Sequence, residues 1–192
     1  LPEMEWTVPH APQELRLSLD RAWNGDAVDD PRLHGFLAVS AGRAGLRVRG
    51  GLPDPTPGPA PEAPVGTRVA RLWETDVVEL FWVGPGERYV EIELGAHGHF
   101  LVLAFRGPRE RVDDHATLAL DVQHRQGDAG WETGVELPWA LLPQPLEALG
   151  AFALARGAFL SAHPMPGREP DFHQPARFHR ARLEARQAET IR

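Results

Sequence analysis

Leu72-Trp73-Glu74-Thr75-Asp76-Val77-Val78-Glu79-Leu80-Phe81-Trp82-Val83 opens the stretch that decides the fold. Gly84-Pro85-Gly86-Glu87-Arg88 interrupts it, and Tyr89-Val90-Glu91-Ile92-Glu93-Leu94 resumes. After Gly95-Ala96-His97-Gly98-His99, the run Phe100-Leu101-Val102-Leu103-Ala104-Phe105 completes it. Three β-branched and aromatic runs cut by two glycine-containing turns predict an antiparallel meander. Its charges are unusual. Asp76 and Glu79 lie in or beside the most apolar run, where a carboxylate is costly unless paired, hydrogen-bonded or bound to something.

Outside the meander the same pattern recurs. Leu15, Leu17 and Leu19 alternate with Arg16 and Ser18, and Phe36–Val39 and Leu46–Arg49 read as two more strands. Leu118–Val122, Trp131–Leu137, Ala151–Arg156 and Phe178–Leu183 add further strands, and Pro138–Pro143 reads as one helical turn. Prolines at 53, 55, 57, 59, 61 and 64 make residues 50–66 a stiff surface loop, a rim of a site or an insertion. Residues 1–13 read as an extended lead-in, and 163–179 as a Pro- and His-rich loop. No helical period extends beyond about two turns. The expectation is one domain over residues 1–192: an all-β, antiparallel sandwich of immunoglobulin-like or jelly-roll-like two-sheet architecture, with short helical turns.

Composition narrows the function. The 192 residues carry a net charge of -7, which lacks the basic footprint of a nucleic-acid or anionic-membrane binder. All 20 basic residues are Arg, which excludes a Schiff-base or phosphate-loop lysine. With no Cys there is no thiolate nucleophile, thiolate metal site or disulfide. No secretory signal is evident, so a cytoplasmic location is expected, with secretion open if the N-terminus was trimmed. Ser18, Ser40 and Ser161 lack a nucleophile-elbow context, and no phosphate loop is present.

Trp73-Glu74-Thr75-Asp76-Val77-Val78-Glu79-Leu80-Phe81, Tyr89-Val90-Glu91-Ile92-Glu93 and Gly95-Ala96-His97-Gly98 resemble the core motif of carbohydrate-binding module family 9-like proteins, β-sandwiches related to the DOMON group. Pro170-Asp171-Phe172-His173-Gln174-Pro175 is similar to their closing segment, and the likeness spans about residues 67–183. It is nearest to stand-alone members found in bacteria and eukaryotes. The resemblance implies that Trp73 stacks on a sugar ring, that Glu79 holds a hydroxyl, and that the second ring comes from the late loop, where Phe172 stands.

The leading expectation is therefore non-catalytic binding of a saccharide or similar polar small molecule, with Trp73 and Phe172 as ring faces and Glu79, Glu91, His97, Arg156 and His173 as hydrogen-bonding groups. Each has a plainer reading. Trp73 can be a packing aromatic. Glu79 can pair with Arg156. Glu91 and Glu93, alternating with Val90, Ile92 and Leu94, read first as a solvated face. An alternative is a metal-dependent enzyme or metal-binding protein using His97, His173 and nearby carboxylates, with His99, His163 and Asp171 as further candidates. A second alternative is a protein-interaction domain. Asp26, Asp29 and Asp30 offer either a structural Ca²⁺ cage or turns. Haem, carried by some DOMON relatives, is disfavoured, because Met4 and Met165 are the only methionines and lysine is missing.

Overall fold

The computed structural model describes residues 5–186. Its strands are β1 (Trp6–Val8), β2 (Leu15–Leu19), β3 (Arg21–Ala22), β4 (Gly35–Ala41), β5 (Gly45–Leu52), β6 (Val77–Val83) and β7 (Tyr89–Gly95), followed by β8 (Phe100–Phe105), β9 (Arg111–Asp113), β10 (Gln123–Gly127), β11 (Gly130–Pro138), β12 (Ala148–Ala155), β13 (Ala158–Ser161) and β14 (His179–Leu183). Helical structure among the described residues is limited to three-residue 3-10 turns such as Leu72–Glu74 and Trp139–Leu141.

The strands make two sheets. The larger has the order β1-β14-β12-β6-β7-β8-β9, with β13 paired to β12 and β3 paired to β13; the smaller has the order β10-β11-β5-β4-β2. The meander expected from the sequence is β6-β7-β8, in antiparallel register from Val77 opposite Gly95 to Tyr89 opposite Phe105.

Alternation assigns each meander residue to one of two cores. Val78, Leu80, Trp82, Val90, Ile92, Leu94 and Val102 pack between the sheets with Leu17, Leu37, Val48 and Leu137 of the smaller sheet. Val77, Phe81, Tyr89, Leu101, Leu103 and Phe105 face the other way, into a second apolar cluster. Met165, Phe172 and Phe178 from the late segment, with Leu72 and the flank of Trp73, cover that outer face. All seven residues of β6 and all seven of β7 are consequently buried.

Several local expectations change. The lead-in contains β1, which pairs with β14 in parallel, Trp6 opposite Ala181, so the sandwich is not wholly antiparallel. Leu118–Val122 is not a strand; Leu118, Leu120 and Val122 pack against the main core while their backbone stays out of the ladder, which begins at Gln123. The proline-rich loop starts later than Gly50, because Gly50–Leu52 still belong to β5 opposite Trp131–Thr133. Strands β9 and β13 carry too little apolar pattern to be read from sequence. Met4 and residues 187–192, where a helical or frayed end was expected, lie outside the described residues.

Candidate functional site

On the outer face of the larger sheet, Glu79 stands directly opposite Glu93, and Phe81 opposite Glu91. Glu91 is thus diagonal to Glu79 on the same face. One oxygen from each of Glu79, Glu91 and Glu93 lies within 4.8 Å of the other two. All three side chains are buried, Glu93 completely. The solvated face expected for Glu91 and Glu93 is thereby corrected. The alternation was read rightly, but distant segments cover that face.

Burial lifts the carboxyl of Glu79 to about 7. Burial, reinforced by the negative charge of Glu79, pushes Glu91 and Glu93 well above the ordinary carboxylate range. Among the described residues no N–H or hydroxyl group meets the oxygens of Glu93, and its polar neighbour is the carboxyl of Glu79, which can share a proton with it.

Glu79 and Glu91 line a cavity of about 430 Å³, with Glu93 beside them. Trp73, Phe159 and Phe172 supply ring surface to it, and Arg109, Arg111 and His173 supply polar groups. Trp73 sits in the 3-10 turn before β6, anchored by fully buried Leu72 and by Thr75, whose backbone N–H and hydroxyl both donate to the Leu72 carbonyl. The Arg111 guanidinium of β9 lies 5.7 Å from the Trp73 ring centroid. Phe172 stacks on Phe152 of β12 at 4.0 Å and meets Phe159 of β13 edge-on at 6.0 Å. The two aromatic groups therefore contact elements on either side of the β6–β7 pair.

The late loop is ordered by its own polar groups. Asp171 Oδ1 accepts the backbone N–H of His173 at 3.0 Å and Arg109 Nη2 at 2.8 Å. His173 Nδ1 lies 2.8 Å from the Tyr89 hydroxyl, and its Nε2 lies 3.7 Å from Glu91 Oε2. Burial, with the nearby Arg109 charge, lowers His173 to about 4.

Of the residues singled out from sequence, Trp73, Glu79, Glu91, Phe172 and His173 come together in this pocket. His97 and Arg156 do not line it. His97 Nε2 contacts the Gly58 carbonyl at 2.7 Å, and His99 Nε2 contacts the Ala63 carbonyl at 2.9 Å. Asp76 accepts the Gly58 N–H at 2.9 Å. Arg156 pairs with buried Asp54 at 2.6 Å and bonds Thr56, not Glu79. All these groups pin the proline-rich loop.

The four histidines that the metal alternative drew on are likewise not brought together. His163 lies against Trp6 and His179, 5.9 and 5.2 Å away, in another part of the sheet. Asp26 accepts the Asn24 amide, and Asp30 holds Arg32. Among the described residues the converging group of potential metal ligands is Glu79, Glu91 and Glu93.

Sequence reading missed Glu93 as a partner of Glu79, and missed Arg109, Arg111 and Phe159. A signal for the first existed: folding the chain about Gly86 puts Glu79 opposite Glu93. The others come from short or irregular segments with no pattern to expose them.

A larger depression of about 530 Å³ lies on the outer face of the smaller sheet, lined by Arg47, Arg49, Arg125 and acidic partners. Its charges satisfy one another. Arg49 binds Glu14 and Glu132, Arg125 binds Glu132, and Arg47 binds Glu136. In the smaller cavity the buried carboxyls of Glu79 and Glu91 meet ring faces and carry no arginine hydrogen bond among the described residues, which makes it the stronger site.

No family model matches the chain. It is 28% identical over 170 residues to the human UPF0462 protein C4orf33, covering 83% of each chain. It is 31% identical over 141 residues to the Rattus norvegicus UPF0462 protein C4orf33 homolog, covering 68% of this chain and 70% of that protein. Among solved structures, a Bacteroides uniformis protein described as carbohydrate-binding superposes with a TM-score of 0.65 at 15% identity, covering 94% of this chain and 98% of that one. A family 9 carbohydrate-binding module from Caldicellulosiruptor kristjanssonii, in complex with cellotriose, superposes with a TM-score of 0.57 at 13% identity, covering 98% and 97%. At these identities the likeness establishes the fold, a family 9-like β-sandwich.

Proposed function

The chain belongs to the UPF0462 family, and from its fold and its pocket we propose that it binds a saccharide or closely similar polyhydroxylated small molecule without transforming it. The observation that carries this reading is the meeting of ring faces and hydrogen-bonding groups in one hollow. Trp73 and Phe172 share it with Glu79, Glu91, Arg109, Arg111 and His173. A pyranose has apolar C–H faces that suit aromatic rings and hydroxyls that suit carboxylates and guanidinium groups. The module from C. kristjanssonii is in complex with cellotriose, which supports the same ligand class here.

Trp73 is the pocket's chief stacking candidate, being partly exposed on a short turn rather than sealed in the core. Glu79 and Glu91 line the hollow and, being drawn towards their neutral forms by burial, can donate as well as accept hydrogen bonds. Polar groups left unpaired by a wrong ligand would set the selectivity.

The test is calorimetric titration of the full chain with cellotriose, glucose and a panel of other oligosaccharides. Saturable binding that Trp73→Ala weakens severalfold or more, with the fold retained, is the expected result. Failure of every saccharide to bind would overturn the reading.

A further inference from the structure

We propose that Glu79, Glu91 and Glu93 form, at the pocket, a binding site for one divalent transition-metal cation. The inference starts from Glu93. Its side chain is wholly buried, and among the described residues its polar neighbour is the carboxyl of Glu79, an acid that lines the hollow and can share a proton with it. A carboxylate in that position is expensive unless something positive or protic meets it. It faces Glu79 across the strand pair, with the oxygens of the three acids within 4.8 Å of one another. That separation fits oxygens around a single ion, since metal–oxygen bonds of about 2.0–2.2 Å put opposed ligands roughly 4 Å apart.

The nearby arginines act on these acids only through space. Arg109 is bonded to Asp171, and Arg111 lies over the Trp73 ring. The neutral imidazole of His173 stands beside the triad, with Nε2 3.7 Å from Glu91 Oε2. The Tyr89 oxygen lies 2.8 Å from the other ring nitrogen and can accept its proton, which leaves the Nε2 lone pair beside the acids. The converging set is three carboxylates, which among transition metals suits Mn²⁺; the His173 imidazole stands next to Glu91, outside that set. Because Glu79 and Glu91 border the hollow, an ion held there would present open coordination positions to whatever enters it.

The site does not depend on the saccharide reading, and its test uses no sugar. The full chain is stripped with chelator, then titrated with Mn²⁺ and with Zn²⁺ by calorimetry, and metal retained after gel filtration is counted. One equivalent per chain is expected, together with a metal-dependent rise in melting temperature. Glu93→Gln and Glu79→Gln should each weaken binding at least a hundredfold while melting no lower than the stripped parent. His97→Gln should bind like the parent, because His97 is committed to the Gly58 carbonyl. If Glu93→Gln does not fold, Glu91→Gln takes its place. Absence of a stoichiometric ion, undiminished binding in the folded Glu→Gln variants, or equal loss in His97→Gln overturns the proposal. Protein that binds cellotriose but no metal sinks this site and leaves the saccharide reading standing; the converse result does the reverse.

Discussion

The Tyr89 hydroxyl lies 2.8 Å from Nδ1 of His173, and it also accepts the backbone N–H of Arg109 at 3.2 Å. One phenol on β7 thereby ties the late loop to the turn before β9, two segments that rim the pocket. Burial pushes the hydroxyl up to about 12, so it stays protonated and can serve as donor and acceptor. Tyr89→Phe should free the His173 ring and cost about 1–3 kcal/mol of stability, because two polar groups lose a partner. Denaturant unfolding gives the energy, and the His173 ring resonances in NMR report the lost bond; unchanged resonances would contradict this role.

Trp73→Ala tests the ring wall. The side chain is partly exposed and sits on a short turn, so the fold should survive with a small change in melting temperature. A central aromatic contact carries about 2 kcal/mol, hence roughly a thirtyfold loss of saccharide affinity by calorimetry. Equal affinity in both proteins would remove Trp73 from the site.

His97→Ala separates two roles for a residue singled out from sequence. The structure ties His97 to the proline-rich loop at Gly58, away from the pocket lining. Faster proteolysis within residues 55–66 is expected, with saccharide affinity unchanged within about twofold. A large affinity loss without loop cleavage would return His97 to the binding surface.

Arg156→Ala leaves the carboxylate of Asp54, which is 1% exposed, without its guanidinium partner. Arg156 is exposed, so solvent screens the pair and the loss is smaller than for a fully buried one. Urea melts should show a lower midpoint for Arg156→Ala, largely recovered in Arg156→Ala/Asp54→Leu.

His163 gives the chain a sensitivity to acid. Burial, with the neighbouring His179, lowers it from an ordinary 6.5 to about 4. Its Nε2 has no partner, and Phe152 and Phe178 rings lie 5.7 and 6.0 Å away. Between those values the unfolded chain binds more protons, so the stability held above pH 6.5 is lost as pH falls towards 4, by about 3 kcal/mol at most. His163→Phe should remove that slope. The difference between the two stability curves isolates it from His173, which has the same sign, and from the buried glutamates, which have the opposite one. Parallel curves would show that His163 is not buried neutral.

The sequence displayed the sheet more readily than the site. Three apolar runs about Gly86 and Gly98 announced β6-β7-β8, because strand period and turn chemistry are local properties. Trp73, Glu79 and the Asp171-Phe172-His173 loop were recognisable through family-like motifs. Glu91 was singled out for the site, but the face it shares with Glu93 read first as solvated because polar alternation normally means water, and the covering Phe172 and Met165 lie some 70 residues further along. Arg156 was assigned to Glu79 by strand face, yet it occupies the β12–β13 turn in a left-handed conformation with φ 50°, and there it reaches Asp54. Leu118–Val122 shows the reverse error: the apolar residues are half-buried, as alternation required, but no neighbour completes a ladder.

Burial of β6 on both flanks has a folding consequence. Moving β6 by a single residue against its neighbours would exchange its two side-chain sets and drive Glu79 into the space between the sheets, and the same slip in β7 would bury Glu91 and Glu93 there. Each misaligned hairpin would carry an acid into hydrocarbon, with no hollow to receive it. The acids that equip the outer face thus also act as a ratchet, rejecting wrong alignments of the strands that carry them.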